Sequence, residues 1–165
     1  MNIIQNDEHY KFVVEEGILR AEKSIWIATA NLKDMQIAMC GGRFKSIASY
    51  LNEQAEAGIK VRLLYGGEPS MYFKKSFEKL KKHKNFLLKR CQRNHFKTVI
   101  IDGKYMYLGS ANLTGAGIGF KNSNRRNFEM GIVTSDFNEI DKVQSLFNLI
   151  WEDGFCEECG RKKYC

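Results

Sequence analysis

The chain has 165 residues, enough for one domain with a substantial hydrophobic core, and its 44% hydrophobic and 27% charged content is ordinary for a soluble protein. Its longest apolar runs, such as Ser24–Ala30, are far too short to span a bilayer. A net charge of +7 favours polyanionic partners, nucleic acid or acidic membrane, over neutral ones, with simple solubility as the bland alternative.

In chain order, residues 2–9 are polar and lack the basic start and apolar block of a secretory signal, so a cytoplasmic protein is expected. A helix is expected from about Asp7, its cap, to Glu22, with Tyr10, Val14, Gly17, Ile18 and Ala21 on one face. Ser24–Ala30 reads as a buried strand and Asn31–Gly42 as a loop. A second helix is expected over Arg43–Ala57, with Phe44, Ile47, Ala48, Leu51 and Ala55 inward and Gly58 as its stop. Ile59–Tyr65 is a strand. Pro69-Ser70 introduces a third helix, apolar at Phe73, Phe77 and Leu80 and cationic at Lys74, Lys75, Lys79, Lys81, Lys82 and Lys84. Strands follow at Asn85–Cys91 and at Phe128–Thr134, with a hairpin and a loop, Leu113–Asn127, between them. Asp136 with Glu139 resembles a capping box that opens a last helix carrying Ile140, Val143, Phe147 and Ile150. Trp26 and Trp151 are assigned to core or interface. This order implies an α/β (mixed α+β) domain over residues 1–152, a mixed sheet flanked by helices on both faces, and a Cys-rich tail over 153–165.

The chemistry concentrates in the hairpin HFKTVIIDGKYMYLGSAN, residues 95–112. Asp102-Gly103 is a favoured two-residue turn, and that register sets Ser110 opposite His95. His95 and Lys97, two apart, share a face, and Asn112 lies just beyond Ser110. An imidazole, an ammonium, a hydroxyl and an amide gathered at one end of a hairpin make a cradle for phosphate. Phosphodiester cleavage needs a nucleophile, cationic and hydrogen-bonding cover for the phosphoryl oxygens, and an acid for the leaving oxygen.

The spacing His95-x-Lys97-x4-Asp102-x6-Gly109-Ser110-x-Asn112 resembles the HKD motif of the phospholipase D superfamily, with every position filled. The likeness runs from about residue 3 to Trp151 and is greatest to the single-motif Nuc-type endonucleases, which are related to the cardiolipin-hydrolase/Zucchini group. It implies a phospholipase D-like fold and a metal-independent phosphodiesterase in which His95 forms a phosphohistidine. Lys97 and Asn112 then act in catalysis and Ser110 contacts phosphate. Asp102 and Gly109 are structural positions of the motif. Glu129 matches an acidic residue that orients the nucleophilic imidazole. A single motif implies a homodimer that brings two His95 side chains to one phosphate; His9 and His83 lack the context of a second motif.

Arg93, Arg125 and Arg126 are candidate contacts to substrate phosphates, with the lysine-rich face and Lys89 and Arg90 as a basic approach. Gly115, Gly117 and Gly119 do not fit GxGxxG and read as flexibility at the rim of the site. The charge favours nucleic acid, DNA or RNA, as substrate. A phospholipid hydrolase or transferase is the rival within the superfamily, and a binding module with vestigial chemistry the rival from outside enzymology. The five cysteines form no evident disulfide framework. In the tail, Cys156-x2-Cys159-Gly160 resembles a zinc knuckle, and Cys165 offers a third thiolate for a structural zinc. Cys40, Cys91, a histidine or a dimer mate could complete that set, and reduced thiols or a disulfide are the alternative.

Overall fold

In a computed structural model, residues 1–78, 83–119 and 123–164 are described. The β-branched run at Ser24–Thr29 forms β2, an inner strand of the sheet, because both of its faces are apolar enough to be covered. The other elements are β1 (Asn2–Gln5), β3 (Gln36–Met39), β4 (Arg43–Ser46), α1 (Ile47–Glu56), β5 (Lys60–Tyr65) and α2 (Met71–Glu78). They continue with β6 (Phe86–Arg90), β7 (Lys97–Ile101), β8 (Tyr105–Gly109), β9 (Met130–Thr134) and α3 (Phe137–Trp151). Seven strands form one mixed sheet in the order β1-β9-β8-β7-β2-β5-β6. The β2–β5 and β5–β6 pairs are parallel and the others antiparallel.

Strand alternation divides the core between the two faces. Ile25, Ile27, Val99, Ile101, Tyr107 and Val133 join α1 and the N-terminal helical segment in the larger cluster. Ala28, Leu64, Ile100 and Met106 meet Phe147 and Ile140 of α3 on the opposite face. There Arg62 stacks its guanidinium against both Trp26 and Trp151, 4.9 and 5.3 Å from the ring centroids. The mixed sheet with helices on both faces is the expected architecture. No helix among the described residues is long and apolar enough to cross a membrane.

Local expectations give way in the N-terminal helix, the second helix and the hairpin register, and strands form where none was expected, at Asn2–Gln5 and, inside the expected Asn31–Gly42 loop, at Gln36–Met39. The N-terminal helix is broken into a π-helical turn, Tyr10–Glu15, and a 3-10 turn, Ile18–Arg20. Gly17 lies between them so tightly that a Cβ there would sit 2.5 Å from the Val13 carbonyl oxygen, and Asp7 does not cap the helix. Residues 2–5 form an edge strand on β9 with only Ile4 buried, too polar a run to read as a strand. Arg43–Ser46 does not start the second helix but pairs with β3 across Gly41 and Gly42, both at positive φ. That leaves Phe44 56% exposed. The helix opens only at Ile47, where Ser46 accepts the Ser49 N–H and is itself bonded to Asp34 at 2.8 Å. Finally, the hairpin pairs Ile101 with Tyr105 and Lys97 with Gly109. Asp102 and Gly103 both adopt positive φ and Lys104 N–H reaches Ile101 O at 2.9 Å, yet Lys104 and Tyr105 together stand against Ile101. This bulge moves the register by one residue. Leu80, Lys79, Lys81 and Lys82 of the expected third helix lie outside the described residues.

Candidate active site

The site forms where β2 ends beside the start of its antiparallel neighbour β7. Thr29, the last residue of β2, is fully buried and works as a junction. Its single hydroxyl proton is shared between Asn31 O (2.8 Å) and Asn112 Oδ1 (3.2 Å), and its oxygen accepts the Leu113 N–H (3.0 Å). The Asn31 N–H also reaches Asn112 Oδ1, at 2.9 Å. With its carbonyl oxygen held this way, Asn112 has its amide N–H groups left to offer a ligand. Gly117 closes over the Asn112 backbone; a Cβ there would lie 2.6 Å from Asn112 O. The glycine run is therefore not a flexible rim. Gly115–Gly119 is a compact helical turn with Gly117, Ile118 and Gly119 buried, glycine being required for close approach.

His95 is exposed at the start of β7, and Lys97, only 9% exposed, lies beneath it. Lys97 Nζ stands 3.4 Å from His95 Nδ1 and also donates to the His95 carbonyl oxygen. Nδ1 thus faces the ammonium, which leaves Nε2 as the ring nitrogen presented outward. Burial lowers the Lys97 pKa, opposed by the negative charge of Glu129. A residue that the motif spacing does not single out fixes this arrangement from behind. Asn94 is 3% exposed, and its side-chain amide donates to Thr29 O (2.9 Å) and Leu64 O (3.5 Å), pinning the residue before His95 across the ends of β2 and β5. Gly66 makes room for it, since a Cβ there would be 2.3 Å from Asn94 O.

Ser110 is not opposite His95, because the bulge at Lys104 shifts the hairpin. It sits instead at the junction of β8 and β9, with its N–H on Met130 O (3.0 Å) and its Oγ accepting the Met130 N–H (3.1 Å). The Ser110 hydroxyl donates to Glu129 Oε2, and Asn127 Nδ2 reaches Glu129 Oε1 at 3.1 Å. The Glu129 carboxylate is thus held by Ser110 and Asn127, within electrostatic reach of Lys97. Gly109 is glycine for a packing reason: a Cβ would meet Tyr107 Oη at 2.5 Å and Gly131 Cα at 2.7 Å. Tyr107 lies buried beneath, its hydroxyl accepting the Ala111 N–H (3.0 Å), with the His9 ring edge-on at 5.3 Å. His9 is fully buried, its Nδ1 on Asn6 O (3.0 Å) and its Nε2 without a partner. Burial lowers its pKa.

Asp102 lies at the far end of the hairpin from His95. Its carboxylate accepts the N–H groups of Glu22, Lys23 and Ser24 at 2.9, 2.7 and 2.7 Å, tying the turn to the start of β2. Burial pushes its pKa up, but these backbone bonds outweigh that and hold it below the ordinary value. The arginines separate. Arg125 is exposed. Arg126 does not stand free toward a substrate: its Nη2 donates to Asn6 O at 2.8 Å and its guanidinium fills the space above Gly119. Arg93 is turned toward Cys159 and lines a cavity between β6, α3 and the C-terminal segment. Along the basic approach, Lys74 and Arg90 are paired with Glu68 (2.6 and 2.9 Å) and Lys89 with Asp153 (2.7 Å). Cys156 and Cys159 lie in the segment docked beside β6, while Cys165 lies outside the described residues.

One end of the sheet thus presents an imidazole backed by an ammonium, with an outward amide and a hydroxyl-bound carboxylate nearby. The family described as cardiolipin synthase, PLD-like domain, matches residues 14–151, which takes in all of these groups. The chain belongs to the phospholipase D superfamily. Its fold is similar to that of NucT from Helicobacter pylori, at 23% identity and a TM-score of 0.65, covering 92% of this chain and 94% of NucT. Nuc from Salmonella typhimurium, a phospholipase D family member, matches at 16% identity and TM-score 0.63, covering 92% and 93%. TrmBL2, an archaeal chromatin protein with a novel mode of DNA binding, matches at 14% identity and TM-score 0.61, covering 92% of this chain and 52% of TrmBL2. Comparison with curated proteins gives no match.

Proposed function

We propose that this phospholipase D-superfamily chain is a phosphodiesterase that cleaves nucleic acid through a covalent phosphohistidine on His95, in an active site completed by a second copy of the chain. The observation that carries the reading is the His95–Lys97 pair with the amide of Asn112 at the same end of the sheet. His95 Nε2 attacks phosphorus, the bond from phosphorus to the leaving oxygen breaks, and the His95 of the second copy protonates that oxygen. Water, deprotonated by the second imidazole, then attacks phosphorus and releases His95. Lys97 and Asn112 offset the charge that gathers on the phosphoryl oxygens. No step requires a metal ion.

Among the described residues of one chain, no second histidine stands beside His95 to serve as the acid. His9 is buried, and His83 lies in the turn before β6, its Nδ1 accepting the Asn85 N–H at 3.2 Å. This supports a homodimer with the two sites facing each other. The net charge of +7 favours DNA or RNA, in keeping with the nuclease-type fold and with the DNA binding described for TrmBL2. A lipid substrate is the second reading, favoured by Phe128, 97% exposed beside Glu129, and by the family's description as cardiolipin synthase. Rates on single-stranded DNA, RNA, a simple diester and cardiolipin vesicles, with His95→Asn as control, separate the two. Turnover of DNA or RNA that His95→Asn abolishes is the expected result. Turnover of cardiolipin alone would move the substrate to lipid, and wild-type rates in His95→Asn would remove the proposal.

A further inference from the structure

The cavity between β6, α3 and the C-terminal segment holds about 560 Å³, the size of a small-ligand site. Much of its wall is apolar, built from Leu88, Phe96, Leu146, Ile150 and Phe155. Leu146 and Phe155 are each 45% exposed, so this wall is open to solvent. Four cations stand on the same lining, Lys89, Arg90, Arg93 and Lys162, against one acid, Asp153. Lys89 is paired with Asp153 at 2.7 Å and Arg90 with Glu68 at 2.9 Å. Arg93 faces the Cys159 sulfur, and neither it nor Lys162 forms an ion pair among the described residues. Cys91, Cys156 and Cys159 also line the cavity, and among the described residues they do not group as metal ligands.

This cavity adjoins the proposed nucleophile. Asn94 and Phe96, the residues on either side of His95, both line it. Side chains alternate along an extended chain, so Phe96 packs toward Ala28, Leu64 and the cavity while His95 and Lys97 face the site. A ligand lying over this end of the sheet reaches the cavity on one side and His95 on the other. We propose that the cavity receives a base of the nucleic-acid strand flanking the scissile phosphate, an inference that rests on the nucleic-acid reading above and adds a subsite to it. A nucleotide matches both parts of the lining. Its planar ring covers the apolar wall, where Phe96 and Phe155 offer aromatic surface, and its phosphate meets Arg93 and Lys162. An acyl chain would cover the same wall but leave those two cations without a partner. A base enters only when it is out of the duplex stack, so the subsite selects an unpaired stretch of strand.

Alkylation of the lining thiols tests the proposal without reference to catalysis. The full His95→Asn chain is treated with iodoacetamide, with and without a single-stranded oligonucleotide, and each cysteine is followed by peptide mass. With the oligonucleotide at about ten times its Kd, Cys156 and Cys159 should react about tenfold more slowly. Cys40, exposed in the β3–β4 turn, should keep its rate. An abasic strand with the same phosphates should protect the two lining thiols far less. In the otherwise unsubstituted chain, Phe155→Ala should raise KM for the oligonucleotide about tenfold, the scale of one stacked base. Phe155→Tyr should keep the parent KM, and both variants should keep the parent rate on methyl p-nitrophenyl phosphate, which has no base. Unprotected thiols in a saturated complex would overturn the subsite and leave the nuclease reading standing. So would equal protection by the abasic strand, protection by cardiolipin vesicles but not by a bound oligonucleotide, or an unchanged KM in Phe155→Ala. Neither binding nor turnover of any nucleic acid would remove the nuclease reading and the subsite together.

Discussion

At the scale of single residues, Asn112 faces two ways. Its oxygen is committed to Thr29 and Asn31, so only its amide nitrogen is left for a phosphoryl group. Asn112→Asp keeps the acceptor and replaces the donor with a negative charge. The expected loss is about 10²- to 10³-fold in kcat, the scale of a lost oxyanion donor, with the melting temperature little changed. Unchanged kcat would take Asn112 out of the chemistry. His9 provides a prediction about pH. Burial lowers its pKa, so the folded chain binds fewer protons in acid than the unfolded chain. The stabilising effect of a neutral His9 is complete above the ordinary value of 6.5 and is lost as pH falls from there toward the lowered folded value. Thermal melts between pH 8 and pH 5 should therefore fall less steeply in His9→Gln than in the parent, and identical slopes would contradict this.

At the scale of elements, the β7–β8 hairpin is held at both ends by different means. Asn94 pins the His95 end across β2 and β5, and Asp102 pins the turn to the start of β2. Asp102→Ala strands backbone N–H groups that now share a carboxylate and should cost about 2–3 kcal/mol of stability by denaturant titration. Its effect on kcat should be small, since the turn is remote from His95. The Asp102 share of stability is present above its ordinary value of 3.8 and is lost as pH falls through the lower folded value. The hairpin and its turn were legible because Asp-Gly supplies the positive φ pair that such a turn needs. The register was not, because nothing in Lys104-Tyr105 announces a bulge. Arg43–Ser46 was misread for a related reason: its apolar spacing continues that of α1, and only the positive φ of Gly41 and Gly42 turns it back onto β3. Asn94 is equally silent in sequence, since a buried asparagine is recognised only by the carbonyl groups around it. The motif residues stand out because their chemistry fixes their types, whereas Arg126 and Asn94 owe their roles to packing partners far along the chain.

At the scale of the whole molecule, the proposed site is half of a symmetric one. Mixing unsubstituted protein with His95→Asn then yields heterodimers that hold one imidazole each and are inactive. After equal mixing with full exchange, activity should fall to about one quarter of that of the unsubstituted protein alone, against one half if each chain acts independently. The C-terminal segment bears on the same site, because it covers the turn before His95. The most direct test of the account is an alkaline quench during turnover of a nucleic-acid diester, followed by mass measurement of the peptide containing residues 94–97. A phosphoryl adduct on His95, absent in His95→Asn, is the predicted result. Steady turnover with the adduct on another side chain would contradict it.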